Sequence, residues 1–234
     1  MKQPSRVRPL ALMTGIGSPL ARALARGLAE RQLDLLLVDP DGDRLLELRE
    51  QLGSVMVHVQ LFQCDVALPS QRRELQAFLA LAGAKPDVAV FLPEGGLVEQ
   101  RLSAPEAAAR RLQEAVLGSV DSLLRGGLLS AMLAEGNGYL LLLVDEDAFQ
   151  ADHPAWRACL HHGLEQYGLA LGREIAGSGV QVTVARVPGA LLIRDWDGEK
   201  PACEGFARHL LDALFARKPR AGAPRTLAGW WRRR

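Results

Sequence analysis

The segment TGIGSPLA, Thr14–Ala21, combines residue types that bend a chain sharply and turn backbone donors outward. Gly15 and Gly17 permit a tight bend. Ser18 is a good helix N-cap, and Pro19 suits the first helical position, where no amide donor is needed. An apolar run precedes the turn and an amphipathic pattern follows it, so the positive end of a helix faces the bend. Such an end attracts an anion, for example the pyrophosphate of a dinucleotide. Pro19 and Ala21 crowd the turn with a ring and a methyl. A plain strand–helix turn with no ligand fits equally well, because a short glycine pattern is a weak signal. Asp39 closes the next apolar run, LLLVDP, 24 residues after Gly15. A carboxylate there accepts both hydroxyls of an adenosine ribose and repels a 2′-phosphate, which favours NAD over NADP. Asp65, in CDV after the third run, stands where it meets an adenine. Either aspartate alone also fits a solvated strand end; the joint spacing favours the nucleotide.

Positioning these residues requires strands and helices in alternation. Strand-length apolar runs recur: RPLALM, LDLLLVD, VMVHVQLF, DVAVFL, YLLLLVD and VQVTVARV. They are nearly continuous rather than alternating, as expected of strands buried on both faces of a parallel sheet. Between them lie helical patterns. Leu20, Leu24 and Leu28, beside Ala21, Ala25 and Ala29, form one apolar stripe with Arg22 and Arg26 turned outward. DGDRLLELREQL and SQRRELQAFLALAG are amphipathic in the same way. A longer pattern, from Ser103 to Leu133, opens with Ser103 and Glu106 at capping-box spacing. RDWDGEKPACEG reads as a loop, followed by a helix, FARHLLDALFARK, and an irregular, extended tail from about 221 to 234. The alternation predicts an α/β fold: residues 1–234 form a single doubly wound, Rossmann-like domain with a parallel sheet and helices on both faces.

The chain's 234 residues suffice for one large α/β domain, and 48% of them are apolar. A net charge of +1 gives no reason to expect a nucleic-acid partner. Three widely spaced cysteines, Cys64, Cys159 and Cys203, argue against a disulfide framework and for a reducing cytoplasm. The sequence shows no uninterrupted run of about 20 apolar residues, so no integral membrane contact is expected. The end, GWWRRR, reads as a frayed terminus, or as a lipid-touching one through Trp230 and Trp231. No metal site is expected.

These residues resemble the short-chain dehydrogenase/reductase family over roughly residues 8 to 220. ALMTGIGSPLARALARGLAERQLDLLLVD is similar to its first strand, glycine turn, helix and second strand. CDV and PDVAV resemble its third-strand end and fourth strand. HHGLEQYGLALGREIAGSGVQVTVARVPG resembles its long helix, sixth strand and Pro-Gly turn. The resemblance implies a nicotinamide dinucleotide held by Gly15, Gly17, Ser18, Asp39, Asp65, Val66, Pro188 and Gly189. It also implies a catalytic tyrosine, a lysine four residues on, a serine and an asparagine. At those positions stand Arg157, His161, Asp145 and Val116, and the Asn-Asn-Ala-Gly motif is replaced by FLPEGG. The only tyrosines, Tyr139 and Tyr167, lie elsewhere.

Arginine does not give up its proton near neutral pH, and valine has no hydrogen-bonding group. Three functions are compatible with such a chain. The first is a non-catalytic structural or regulatory subunit with weak or no NAD binding. It would be a homo-oligomer, or a hetero-oligomer with an active homologue, pairing through two long helices. Val116, Val120, Leu123, Leu124, Leu164, Leu169 and Leu171 would supply that face, unless they only pack on the sheet. The second is a non-redox isomerase, lyase or cyclase. In it Arg157 would clamp a carboxylate and His161, its pKa raised by Asp145, would move protons near pH 7. His162 takes that place if the helix register slips by one. The third is an atypical NAD-dependent oxidoreductase with displaced catalytic groups.

Overall fold

The computed structural model describes residues 8–93, 110–111, 113–150, 155–192, 200–216 and 225–227. Seven parallel strands form one sheet: β1 (Leu10–Thr14), β2 (Asp34–Asp39), β3 (Val59–Gln63), β4 (Val88–Phe91), β5 (Gly138–Asp145), β6 (Val180–Val187) and β7 (Arg225–Leu227). Their spatial order is β3-β2-β1-β4-β5-β6-β7. The order reverses between β1 and β4, which opens a crevice beyond their carboxyl ends. The central strands are buried throughout, as their unbroken apolar runs require. Leu12, Leu36, Ala89 and Leu142 face one side, and Met13, Leu35, Val90 and Leu141 the other.

Each face is covered by helices whose apolar stripes meet it. On one side lie α1 (Pro19–Glu30) and α6 (Lys200–Phe215), which pack on each other through Leu20, Leu24, Leu28, Leu210 and Leu211. On the other lie α3 (Pro69–Leu81), α4 (Glu114–Glu135) and α5 (Ala155–Glu174). α2 (Gly42–Gln51) flanks β2 and β3. α4 kinks at Gly126 and Gly127, beside the Gln76 side chain, which donates to the Ser122 carbonyl at 2.7 Å.

Several boundaries differ from those expected. β3 begins at Val59 because Val55 and Val57 sit in a turn, where the Val57 amide donates to the Val55 carbonyl. α6 begins at Lys200, so KPACEG is helical rather than a loop; Pro201 falls in the first turn, where its missing amide costs nothing. The tail is not wholly irregular, since Arg225–Leu227 pairs with Thr183–Ala185 of β6. Among the described residues one helix, Glu114–Glu135, has the length and composition to cross a membrane, which the sequence did not lead us to expect. Its apolar side lies on the sheet. Ser103, Glu106, Trp230, Trp231 and the GluGlyGly of FLPEGG fall outside the described residues.

The pairing face expected on the long helices is also corrected. Val116, Val120, Leu123, Leu124, Leu164 and Leu171 are buried inside this protomer against β1, β2, β4, β5 and β6. One side of each helix has to cover the sheet, and these residues do so. Leu169 is partly buried.

Candidate functional site

The turn after β1 sits at the crevice. Gly15 has φ +74°, and a Cβ there would lie 2.6 Å from the Leu92 carbonyl oxygen at the end of β4. The two strands that flank the crevice therefore meet at a position that only glycine fills without strain. Ser18 caps α1 as expected: its Oγ accepts the Ala21 amide at 3.2 Å, with Pro19 in the first turn. Ala21 is buried on the apolar stripe. The Gly15 amide donates to the Val38 carbonyl at 3.2 Å and the Ile16 amide to Asp39 Oδ2 at 3.1 Å. The positive end of α1 lies beside this turn.

Asp39 does not stand open to a ribose. It is buried, and both carboxylate oxygens are engaged by the protein. Oδ2 takes the Ile16 amide; Oδ1 takes the Asp41 amide at 3.0 Å and the Arg44 guanidinium at 2.8 Å. Arg44 also pairs with Asp41, the N-cap of α2, at 2.8 Å. Asp39 thus ties the glycine turn to α2. Its negative charge is matched by Arg44, which removes the expected ground for rejecting a 2′-phosphate. Asp65 is committed in the same manner. It accepts the Ala67 amide at 2.9 Å and Arg111 Nη2 at 2.6 Å, while the Val66 carbonyl accepts Arg72 Nη1 at 2.7 Å. Arg72 reaches on to Glu114 at 2.8 Å, so two ion pairs bind the start of α4 to the carboxyl end of β3.

Asp145, Arg157 and His161 do come together, at the end of β5 under the first turns of α5. All three are buried. Arg157 Nη2 donates to Asp145 Oδ2 in a close ion pair, and Asp145 Oδ1 accepts the Asp147 amide at 2.9 Å. The Asp145 amide donates to His161 Nδ1 at 3.2 Å. His161 is the inward histidine of the pair; His162 is exposed, its ring set edge-on to Phe149 at 4.2 Å. The Pro188–Gly189 turn closes over the cluster. The Gly189 amide donates to Asp147 Oδ2 at 2.8 Å, and a Cβ on Gly189 would lie 2.8 Å from Asp145 Oδ1.

The electrostatics of this cluster reverse one expectation. Burial, and after it the Arg157 charge, pull the His161 pKa down from 6.5 to about 3. Asp145 does not raise it, because its carboxylate faces Arg157 while its amide faces the ring. A proton arriving on Nδ1 would also meet that amide's N–H. His161 is therefore a neutral acceptor and cannot exchange protons near pH 7. The tyrosines lie elsewhere: Tyr139 packs on Phe215, and the Tyr167 hydroxyl donates to Asp121 at 3.1 Å, its pKa pushed up to about 12 by burial and then by Asp121. Cys64 is likewise held up at about 12 by burial and by Asp65. Among the described residues no cluster of three His, Cys, Asp or Glu side chains could hold a metal ion.

No family model and no curated protein matches the chain. Solved structures match it closely in shape. An L-sorbose reductase from Gluconobacter frateurii, complexed with NADPH and L-sorbose, superposes with a TM-score of 0.78 at 19% identity, covering 94% of both chains. A metagenomic short-chain oxidoreductase in complex with NADP gives 0.77 at 18% identity over 94% of this chain and 97% of that one. An alcohol dehydrogenase from the archaeon Thermococcus sibiricus, complexed with 5-hydroxy-NADP, gives 0.76 at 19% identity over 94% and 95%. The chain has the short-chain dehydrogenase/reductase fold. Within that fold the residues of this chain do not fit a nicotinamide dinucleotide well. Asp39, Asp65 and the Gly189 amide are satisfied internally, and Arg157 and His161 are locked into a closed pair of contacts with Asp145.

The sequence singled out neither Arg44, Arg111, Arg72 nor Asp147. Arg44 carried a local signal, three residues after the N-cap Asp41 in the first turn of α2. Asp147, two residues after Asp145, fits the turn that accepts its own amide. Arg111 meets Asp65 across 46 residues of chain, and no local pattern announces such a pairing.

Proposed function

We propose that this chain is a non-catalytic protein built on the short-chain dehydrogenase/reductase fold, a structural or regulatory subunit with weak or no dinucleotide binding. One observation carries the proposal. Each carboxylate aligned with the cofactor and substrate positions is neutralised by an arginine of the same chain: Asp39 by Arg44, Asp65 by Arg111 and Asp145 by Arg157. Removing Asp39 or Asp145 from its partner to bind a ligand leaves a buried charge unpaired, which costs on the order of 3–5 kcal/mol for a buried pair, whereas the Asp65–Arg111 pair, with Arg111 largely exposed, is opened at less cost. The residual anion site is the start of α1. It supports weak pyrophosphate binding, with little discrimination between NAD and NADP now that Arg44 faces Asp39. The solved structures of similar shape in complex with NADPH or NADP make this the natural ligand to test.

The geometry weighs against a non-redox enzyme. A general acid or base needs a pKa near the working pH and access to its substrate. His161 has neither, and both charged members of the cluster face each other. Hydride transfer to a carbonyl also requires a proton for the forming alkoxide, and Arg157 cannot supply it. We place the protein in a reducing cytoplasm, which suits three free cysteines, and assign it to a homo-oligomer or to an assembly with an active homologue. The test is a screen of ketones and alcohols with NADH, NADPH, NAD and NADP. The expected result is no turnover above buffer. Turnover that disappears in Asp145→Asn would restore the cluster to catalysis and overturn the proposal.

A further inference from the structure

The contact between Asp147 and the Gly189 amide closes the gap between the carboxyl ends of β5 and β6. Asp147 opens a single helical turn, Asp147–Phe149, just past β5. Gly189 opens another, Gly189–Leu192, just past β6. The Gly189 amide donates to Asp147 Oδ2 at 2.8 Å. A Cβ on Gly189 would lie 2.5 Å from that same oxygen and 2.8 Å from Asp145 Oδ1, so the two carboxylates cover one side of the glycine together.

The aspartates at this edge of the sheet differ in how firmly they are held. Asp39, Asp65 and Asp145 each pair with an arginine. Asp147 makes no ion pair among the described residues; its carboxylate holds a neutral backbone amide instead. It is also half-buried, whereas Asp39 and Asp145 are buried. A carboxylate on a neutral amide at a water-accessible position yields to another acceptor without stranding a buried charge. The turn itself does not depend on Asp147. The Glu146 amide donates to the Val187 carbonyl at 2.7 Å, and the Leu191 amide to the Pro188 carbonyl at 3.0 Å. Leu191 and Leu192 are buried in the apolar cluster that holds Leu20 and Leu24 of α1. Without the Asp147 carboxylate, the Gly189 amide would keep its place as a free donor.

We propose that Asp147 is an autoinhibitory contact. Its carboxylate fills the hydrogen-bonding place at the Gly189 amide that a carboxamide or carboxylate oxygen of a crevice ligand would take. A ligand bearing such an oxygen exchanges one acceptor for another, so this block is reversible where the arginine pairs are not. The inference rests on the weak dinucleotide binding proposed above and names one cause of it.

Titrations of NADH and of ADP-ribose into wild type, Asp147→Ala and Asp147→Asn at pH 7.5 test it. NADH carries a carboxamide on its nicotinamide ring; ADP-ribose has the same adenosine and pyrophosphate without that ring. Asp147→Ala should tighten NADH at least about tenfold and leave ADP-ribose within about threefold of wild type. Asp147→Asn removes the charge but keeps an acceptor oxygen for the Gly189 amide, so its NADH affinity should stay within about threefold of wild type. Asp147→Val fills the same space without an acceptor and should match Asp147→Ala, which keeps the result independent of how well one variant folds. Unchanged NADH affinity in both Asp147→Ala and Asp147→Val overturns the proposal. So does an equal gain for ADP-ribose, or an Asp147→Asn variant as tight as Asp147→Ala, since either would make the charge rather than the occupied amide the obstacle. Micromolar NADH binding by wild type would contradict the weak binding proposed above, while the ratio of variant to wild type would still decide this inference.

Discussion

Replacing His161 by asparagine should flatten the acid side of the stability curve. Asparagine keeps an acceptor for the Asp145 amide but does not titrate. In the folded wild type His161 has a pKa of about 3, set by burial and by Arg157, whereas in the unfolded chain it has the ordinary value near 6.5. The folded pKa is depressed, so between these values the unfolded state binds more protons. The stability is then fully present above pH 6.5 and is lost as pH falls toward 3. Well inside the window the slope is about 1.4 kcal/mol per pH unit, and the loss from pH 7.5 to 4.5 is about 3 kcal/mol. Carboxylates contribute their own acid dependence, so the informative quantity is the difference between wild type and His161→Asn. Urea unfolding followed by circular dichroism at half-unit pH steps measures it. The two curves should converge by about 3 kcal/mol between pH 7.5 and 4.5. Parallel curves would show that His161 is solvated or already protonated, and would refute the closed cluster.

Three other outcomes follow from the same contacts. Arg157→Met should destabilise the fold by roughly 3–5 kcal/mol, because it strands the buried Asp145 carboxylate. Asp145→Asn combined with Arg157→Met should cost clearly less than the sum of the single changes, as read by denaturant unfolding. Gly15→Ala should cost at least about 1–2 kcal/mol from its left-handed backbone alone, with the Leu92 carbonyl adding to the loss. Arg44→Ala should strengthen NADH binding relative to wild type in a fluorescence titration, since it takes the guanidinium away from Asp39 Oδ1; unchanged affinity would show that Arg44 is no obstacle.

Much of the architecture is legible because it follows from local pattern. LLLVD and YLLLLVD are continuous apolar runs and became buried parallel strands. The Leu20, Leu24, Leu28 stripe became the packed side of α1, and Ser18 capped it. The site was less legible, because the state of its residues depends on their partners. Asp145, Arg157 and His161 come together at the end of β5 and Asp39 meets the nearby Arg44, but other partners come from distant segments. Asp65 meets Arg111, and Gly189 meets Asp147, across more than 40 residues. Whether a carboxylate is open or neutralised depends on such pairings, which leave no periodic trace. The His161 shift has the same origin: one ring nitrogen facing an amide rather than a carboxylate inverts its sign. The apolar residues of α4 were legible as a face, but composition does not distinguish a face that covers the sheet from one that meets a partner.

The most direct test of the central claim is an isothermal titration of NADPH and of NADH into the folded wild-type protein at pH 7.5. An internally satisfied crevice predicts no saturable heat, or a Kd weaker than about 1 mM, which is about −4 kcal/mol, for both nucleotides. One-to-one binding of either nucleotide with a micromolar Kd would contradict it. That result would mean that Arg44, Arg111 and Arg157 yield to the cofactor rather than stand in its place.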